Sequence, residues 1–227
     1  MKNRKQVLMA AVAAAALSAA IFTVQATQAA EEQAPMTFFI TSTDQAGNLG
    51  GLAGADALCQ RLAQAAGSPA TRTWSAYLST QGAGAVNARD RIGNGPWHNA
   101  DGDMIASDLD DLHGDTTRDS NYIIAETGLD ENGNPIPGRF RPDGEPQNKH
   151  DILTGSDSRG MAIAGNDDRT CNNWTSDSDG QAMLGHFDRS GGGNNTSWNA
   201  AHPSRSCSLA DLNATGGAGK LYCFATN

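Results

Sequence analysis

"TCNNWTSDSDGQAMLGHFDR" occupies residues 170–189, and the fold turns on how it is read. It gathers Cys171, Trp174, Asp177, Asp179, His186 and Asp188 into one short stretch. It runs on into "SGGGNNTSWNAAHPSRSC" (190–207), which ends at Cys207. Carboxylates and an imidazole so close together suit a metal-dependent active site. A cysteine at each end suits a long surface segment closed by a disulfide. The remaining cysteines and the compartment of the chain bear on the choice.

The first residues set the compartment. Lys2, Arg4 and Lys5 precede an alanine-rich apolar run from Val7 to about Val24, and "ATQAAEE" follows with small residues. This pattern predicts a secretory signal over 1–30, with one domain over 31–227. Removing 1–30 lowers Lys plus Arg from 16 to 13 and leaves Asp plus Glu at 25, a net charge of −12. So acidic a chain is a poor partner for phosphate backbones, so nucleic acid is not an expected partner. No later apolar run is long enough to span a membrane. Cys59, Cys171, Cys207 and Cys223 make an even count in an exported chain, which predicts two disulfides with three possible pairings. No CxxC pair favours a zinc site built from them.

Local patterns place the cysteines. "MTFFITST" (36–43) and "RTWSAYLST" (72–80) read as strands, the second with Trp74, Ala76 and Leu78 on one face. Leu52, Ala55, Leu58, Cys59, Leu62 and Ala66 recur at helical spacing, with Gly67 as the stop. "VNARDRIG" (86–93) suggests one or two helical turns. "DMIASDLDDLH" (103–113) reads as a short strand followed by a helix capped by Ser107. "KLYCFAT" (220–226) closes the chain as a strand, with Tyr222 and Phe224 facing away from Cys223. Between about 130 and 220, Gly, Asn, Asp and Ser dominate and predict ordered loops. A helix cysteine and a last-strand cysteine suit a nested pairing, Cys59–Cys223 around Cys171–Cys207.

On "FFITSTDQAGNLGGLAGADALCQRLAQAAG", "TWSAYLST", "HDILTGSDSRG", "CNNWTSDSDGQAMLG" and "LYCFA", the chain resembles the endostatin domain of certain collagens and its bacterial, lectin-like relatives. The resemblance runs in order from about Met36 to Ala225. It implies an α+β, C-type-lectin-like fold, loop-rich, with the same nested disulfides. Two family properties do not transfer. Heparin binding by arginines conflicts with the acidic charge, and the family's N-terminal zinc histidines have no counterpart before His98.

Several constellations then need weighing. The C-type-lectin fold often holds calcium through Glu-Pro-Asn and Trp-Asn-Asp motifs. "GEPQN" (144–148) and "SWNAA" (197–201) fall short of both, and calcium wants about six to eight oxygens. "NADGD" (99–103) and "LDENGN" (129–134) read more simply as turns. No HExxH pair links His98, His113, His150, His186 and His202, so each is expected to be structural or solvated. Asp177, Asp179 and Asp188 could serve a hydrolase, but loop aspartates commonly cap turns. Trp174 is expected to pack on a disulfide. Trp198 is expected to be partly exposed, with Asn194, Asn195, Asn199, His202 and Arg205 around it as a ligand-binding surface.

The sequence therefore predicts an exported, non-catalytic binding module for a glycan or an extracellular-matrix or envelope partner. No cofactor is expected; zinc is disfavoured, and calcium is the one ion left to weigh. The alternatives are a secreted hydrolase using loop carboxylates and a structural envelope protein.

Overall fold

The computed structural model describes residues 33–115, 120–139, 147–191 and 196–227. The predicted signal over 1–30 lies outside them, as do Asn194, Asn195 and the start of "GEPQN". Among the described residues the chain is mixed α/β, with four helices and eight strands.

The last strand, β8 (Gly217–Ala225), organises the sheet, and all nine of its residues are buried. Residues 222–224 of β8 pair antiparallel with β1 (Phe38–Ile40), and residues 223–225 pair antiparallel with β2 (Trp74–Ala76). A strand has two edges, so β1 and β2 flank β8 on opposite sides. The first half of β8 pairs parallel with β5 (Asp151–Leu153). β5 pairs antiparallel with β6 (Met183–His186), which pairs with β7 (His202–Pro203). A separate two-stranded ribbon joins β3 (Trp97–His98) and β4 (Met104–Ala106).

Side-chain alternation splits the interior into two layers. Phe39, Trp74, Ala76, Leu153, Leu184, Leu221 and Cys223 face α1 (Gly51–Ala65) and both disulfides. Phe38, Ile40, Tyr77, Ile152, Trp198, Tyr222 and Phe224 form an aromatic layer on the other face. Helix α1 buries Ala55, Leu58, Cys59 and Ala63, and the chain turns at Gly67 with φ 93°. Cys59–Cys223 ties α1 to β8, and Cys171–Cys207 closes the loop region, as predicted. Their sequence separations are 164 and 36 residues. In the chain-entropy model such links contribute roughly 5 and 4 kcal/mol.

The sequence patterns and the structure differ in several places, the helix at Leu209–Ala214 within the expected loop stretch among them. The cap of α2 (Leu109–His113) is Asp108, whose carboxylate accepts from Asp111 N, rather than Ser107. β5, β6 and β7 lie inside the stretch expected to be loop, because strands of two to four residues are too short to show alternation. Helix α3 (Cys171–Trp174) is a left-handed turn, with φ of 48°, 53°, 54° and 66° at its four residues. Asp168 accepts from Thr170 N and Asn172 N, and Trp174 Nε1 donates to Ser79 O at 2.8 Å. These bonds and Cys171–Cys207 hold a conformation that L-residues adopt at a cost.

Candidate metal centre

Asp151 opens β5 and pairs directly with His186, the last residue of β6. His202, in β7, pairs with Leu184, two residues before His186. Period-two alternation puts Asp151, His186 and His202 on one face of the sheet. His150 precedes β5, where the pairing with β8 is interrupted. Its ring stacks on His186, with centroids 4.1 Å apart and planes 13° apart.

Three imidazole nitrogens converge on one carboxylate oxygen. Nε2 of His150 and Nε2 of His186 each lie 3.2 Å from Asp151 Oδ1, and Nε2 of His202 lies 3.7 Å from it. The side chains of His150, Asp151 and His186 are 5%, 0% and 4% exposed, while that of His202 is 29% exposed. Neither carboxylate oxygen of Asp151 takes part in a hydrogen bond. A buried carboxylate left without donors costs several kcal/mol, a cost that a metal ion or an imidazolium beside it would offset.

Surrounding groups orient the rings. Asp188 Oδ1 lies 3.0 Å from His150 Nδ1. Burial would raise the Asp188 carboxyl, but hydrogen bonds from His150, from Arg139 N and from Ser190 hold it down at about 2. The resulting carboxylate accepts, so Nδ1 carries a proton and Nε2 is the nitrogen turned toward Asp151. In His202, Nδ1 is 3.0 Å from Pro203 O. A carbonyl only accepts, so Nδ1 carries a proton here too. A carboxylate that orients an imidazole in this way is a recurrent device of metal sites.

Two glycines permit the close approach. A Cβ on Gly217 would sit 3.0 Å from Asp151 Cβ. A Cβ on Gly185, between Leu184 and His186, would overlap the carbonyl of Trp198, so the Trp198–Asn199 backbone crosses directly against β6.

The donor set fits a transition metal. Bonds of about 2.0–2.1 Å in a zinc tetrahedron place ligand atoms about 3.3 Å apart. The 3.2 Å spacings from Asp151 Oδ1 to His150 and His186 are close to that edge, and the 3.7 Å spacing to His202 is longer. Imidazoles with one carboxylate suit zinc and its neighbours, whereas calcium takes oxygen ligands. Among the described residues, no other group of three His, Cys, Asp or Glu side chains converges in this way.

The remaining predicted residues lie elsewhere. Trp198, expected to be partly exposed, is 1% exposed. Its indole packs on Tyr77 and Tyr222, with centroids 4.9 and 5.4 Å away, and is not available to stack on an external ligand in this conformation. Asn199 is buried too, and donates to Tyr77 Oη at 3.0 Å. Arg205 is exposed, and Asn194 and Asn195 lie outside the described residues. Asp177 and Asp179 are exposed. Trp174 is fully buried in the layer that holds both disulfides. Asn99 accepts from Asp101 N and Asp103 N, and Asp130 from Asn132 N and Asn134 N, so both Asp-rich stretches are capped turns. His113 is a structural histidine, with Nε2 2.9 Å from Tyr77 Oη and Nδ1 2.9 Å from Leu109 O.

Sequence reasoning took His150, His186 and His202 one at a time and missed their convergence. The available signal was "HD" opening one apolar run and "GHFD" closing another. Its meaning depends on which strand ends meet. No protein-family profile and no curated protein sequence matches the chain.

Proposed function

We propose that this chain is an exported binding module built around one transition-metal ion of the zinc class, held by His150, Asp151 and His186. The observation that carries the proposal is the enclosed Asp151 carboxylate, which takes part in no hydrogen bond yet has imidazole nitrogens of His150 and His186 3.2 Å from one of its oxygens and that of His202 at 3.7 Å. Two disulfides and the predicted signal support export. No described helix is long and apolar enough to cross a membrane. The domain belongs to the endostatin-like branch of the C-type-lectin-like fold and acts by binding, with a glycan or an envelope protein as its partner. The resemblance and the loop-rich surface on a cross-linked scaffold support this wider reading.

The test is metal content. Protein stripped with chelator, dialysed against equimolar zinc with calcium in large excess, and measured by elemental analysis should retain one zinc per chain. His186→Ala should retain none. Equal zinc in both proteins, or calcium uptake alone, would refute the proposal.

A further inference from the structure

We infer, on the basis of that metal reading, that His202 joins as the fourth ligand of a closed tetrahedral centre, and that the ion ties the edge strand β7 to β6. His202 is carried by the edge strand β7, which is pinned on both sides. Ala201 N donates to Leu184 O at 2.7 Å, and Ser204 N donates to Ala182 O at 2.8 Å. The ring meets His186 edge to face, with centroids 4.9 Å apart and planes 68° apart. Its Nδ1–H is taken by Pro203 O, so the remaining nitrogen offers a lone pair on the one side of the cluster that solvent reaches. Three imidazoles and a carboxylate fill a tetrahedron and leave no position for a reacting water, the pattern of a structural centre.

The consequence lies in the chain between the ligands. His186 and His202 bracket residues 187–201, and Asp188 within that stretch orients His150. Further along, Trp198 O accepts from Tyr222 Oη at 2.8 Å, and Asn199 O accepts from Thr154 Oγ1 at 2.6 Å. The ion thus joins His186 to β7, next to a Trp198–Asn199 backbone that is locked into the aromatic layer. Its occupancy governs how firmly β7 and the Trp198 backbone are held.

Cobalt(II) reads out the coordination. A tetrahedral cobalt site absorbs visible light strongly, while a site opened to water becomes five- or six-coordinate and absorbs weakly. Metal-free wild type, His202→Ala and the exposed control Arg205→Ala are each titrated with cobalt, with near-ultraviolet circular dichroism verifying the fold. Wild type and Arg205→Ala should bind one cobalt with strong bands. His202→Ala should still bind one cobalt, with visible absorption reduced several-fold. Cobalt should slow hydrogen exchange at Ala201 N and Ser204 N in wild type and not in His202→Ala. A wild-type spectrum and wild-type protection in His202→Ala would overturn the inference while leaving metal binding intact. Absence of cobalt uptake by wild type would overturn the metal reading and this inference together.

Discussion

An enclosed carboxylate needs a cation or hydrogen-bond donors, and around Asp151 the polypeptide offers imidazole nitrogens whose protons, in His150 and His202, are committed elsewhere. Asp151→Asn should therefore act in opposite senses on the two forms of the protein. The metal-free form should melt at the same temperature or higher, since an uncompensated buried charge has been removed. The rise in melting temperature that zinc gives wild type should vanish. A large loss of stability in the metal-free variant would mean that the carboxylate has an ordinary structural role. Asp188→Asn should leave the ligands in place but loosen His150, weakening zinc about 10- to 100-fold by calorimetric titration. Unchanged affinity would remove Asp188 from the orienting role. At Trp198 the structure redirects the sequence reading. Trp198→Ala should cost about 3–5 kcal/mol in a denaturant melt, the price of emptying a core aromatic site. An unchanged melt would put the indole back at the surface. That burial was not legible, because the Gly- and Asn-rich flanks suggest exposure, while enclosure comes from Tyr77 and Tyr222, both distant in sequence.

At the scale of elements, legibility followed length. Helix α1 and β8 are long enough to show their periods, so their cysteines could be placed, and the nested disulfides followed. β5, β6 and β7 have three, four and two residues. Their identity comes from pairing, which no local pattern displays, and the metal cluster went unseen with them. The left-handed α3 was hidden for a different reason. "CNNW" contains asparagines, which tolerate positive φ, but Cys171 and Trp174 adopt it only because the disulfide, Asp168 and Ser79 O hold them there. Asn172 is exposed, and its side-chain bond to Thr175 Oγ1 is lost in valine and glycine alike, so comparing the two isolates the backbone effect. Asn172→Val should lower stability by about 1–2 kcal/mol, whereas Asn172→Gly should be near neutral. Equal effects of valine and glycine would show that the turn relaxes to another conformation at little cost.

At the scale of the whole molecule, an acidic chain is held together by carboxylates that depend on remaining ionised. Arg89 lies against Asp115 and holds its carboxyl below the usual range. A folded value below the unfolded one means that this contribution is complete above the unfolded value of about 3.9 and is lost as pH falls through the folded value. Wild type should therefore lose more melting temperature than Asp115→Asn between pH 5 and about pH 2.5. Parallel curves would assign acid sensitivity to other groups. Anomalous diffraction at the zinc edge from crystals grown with zinc tests the metal centre most directly. One dominant peak should lie about 2.0–2.2 Å from Nε2 of His150, His186 and His202 and from an Asp151 carboxylate oxygen. A map empty at that point, with zinc only on exposed aspartates such as Asp177 and Asp179, would contradict it.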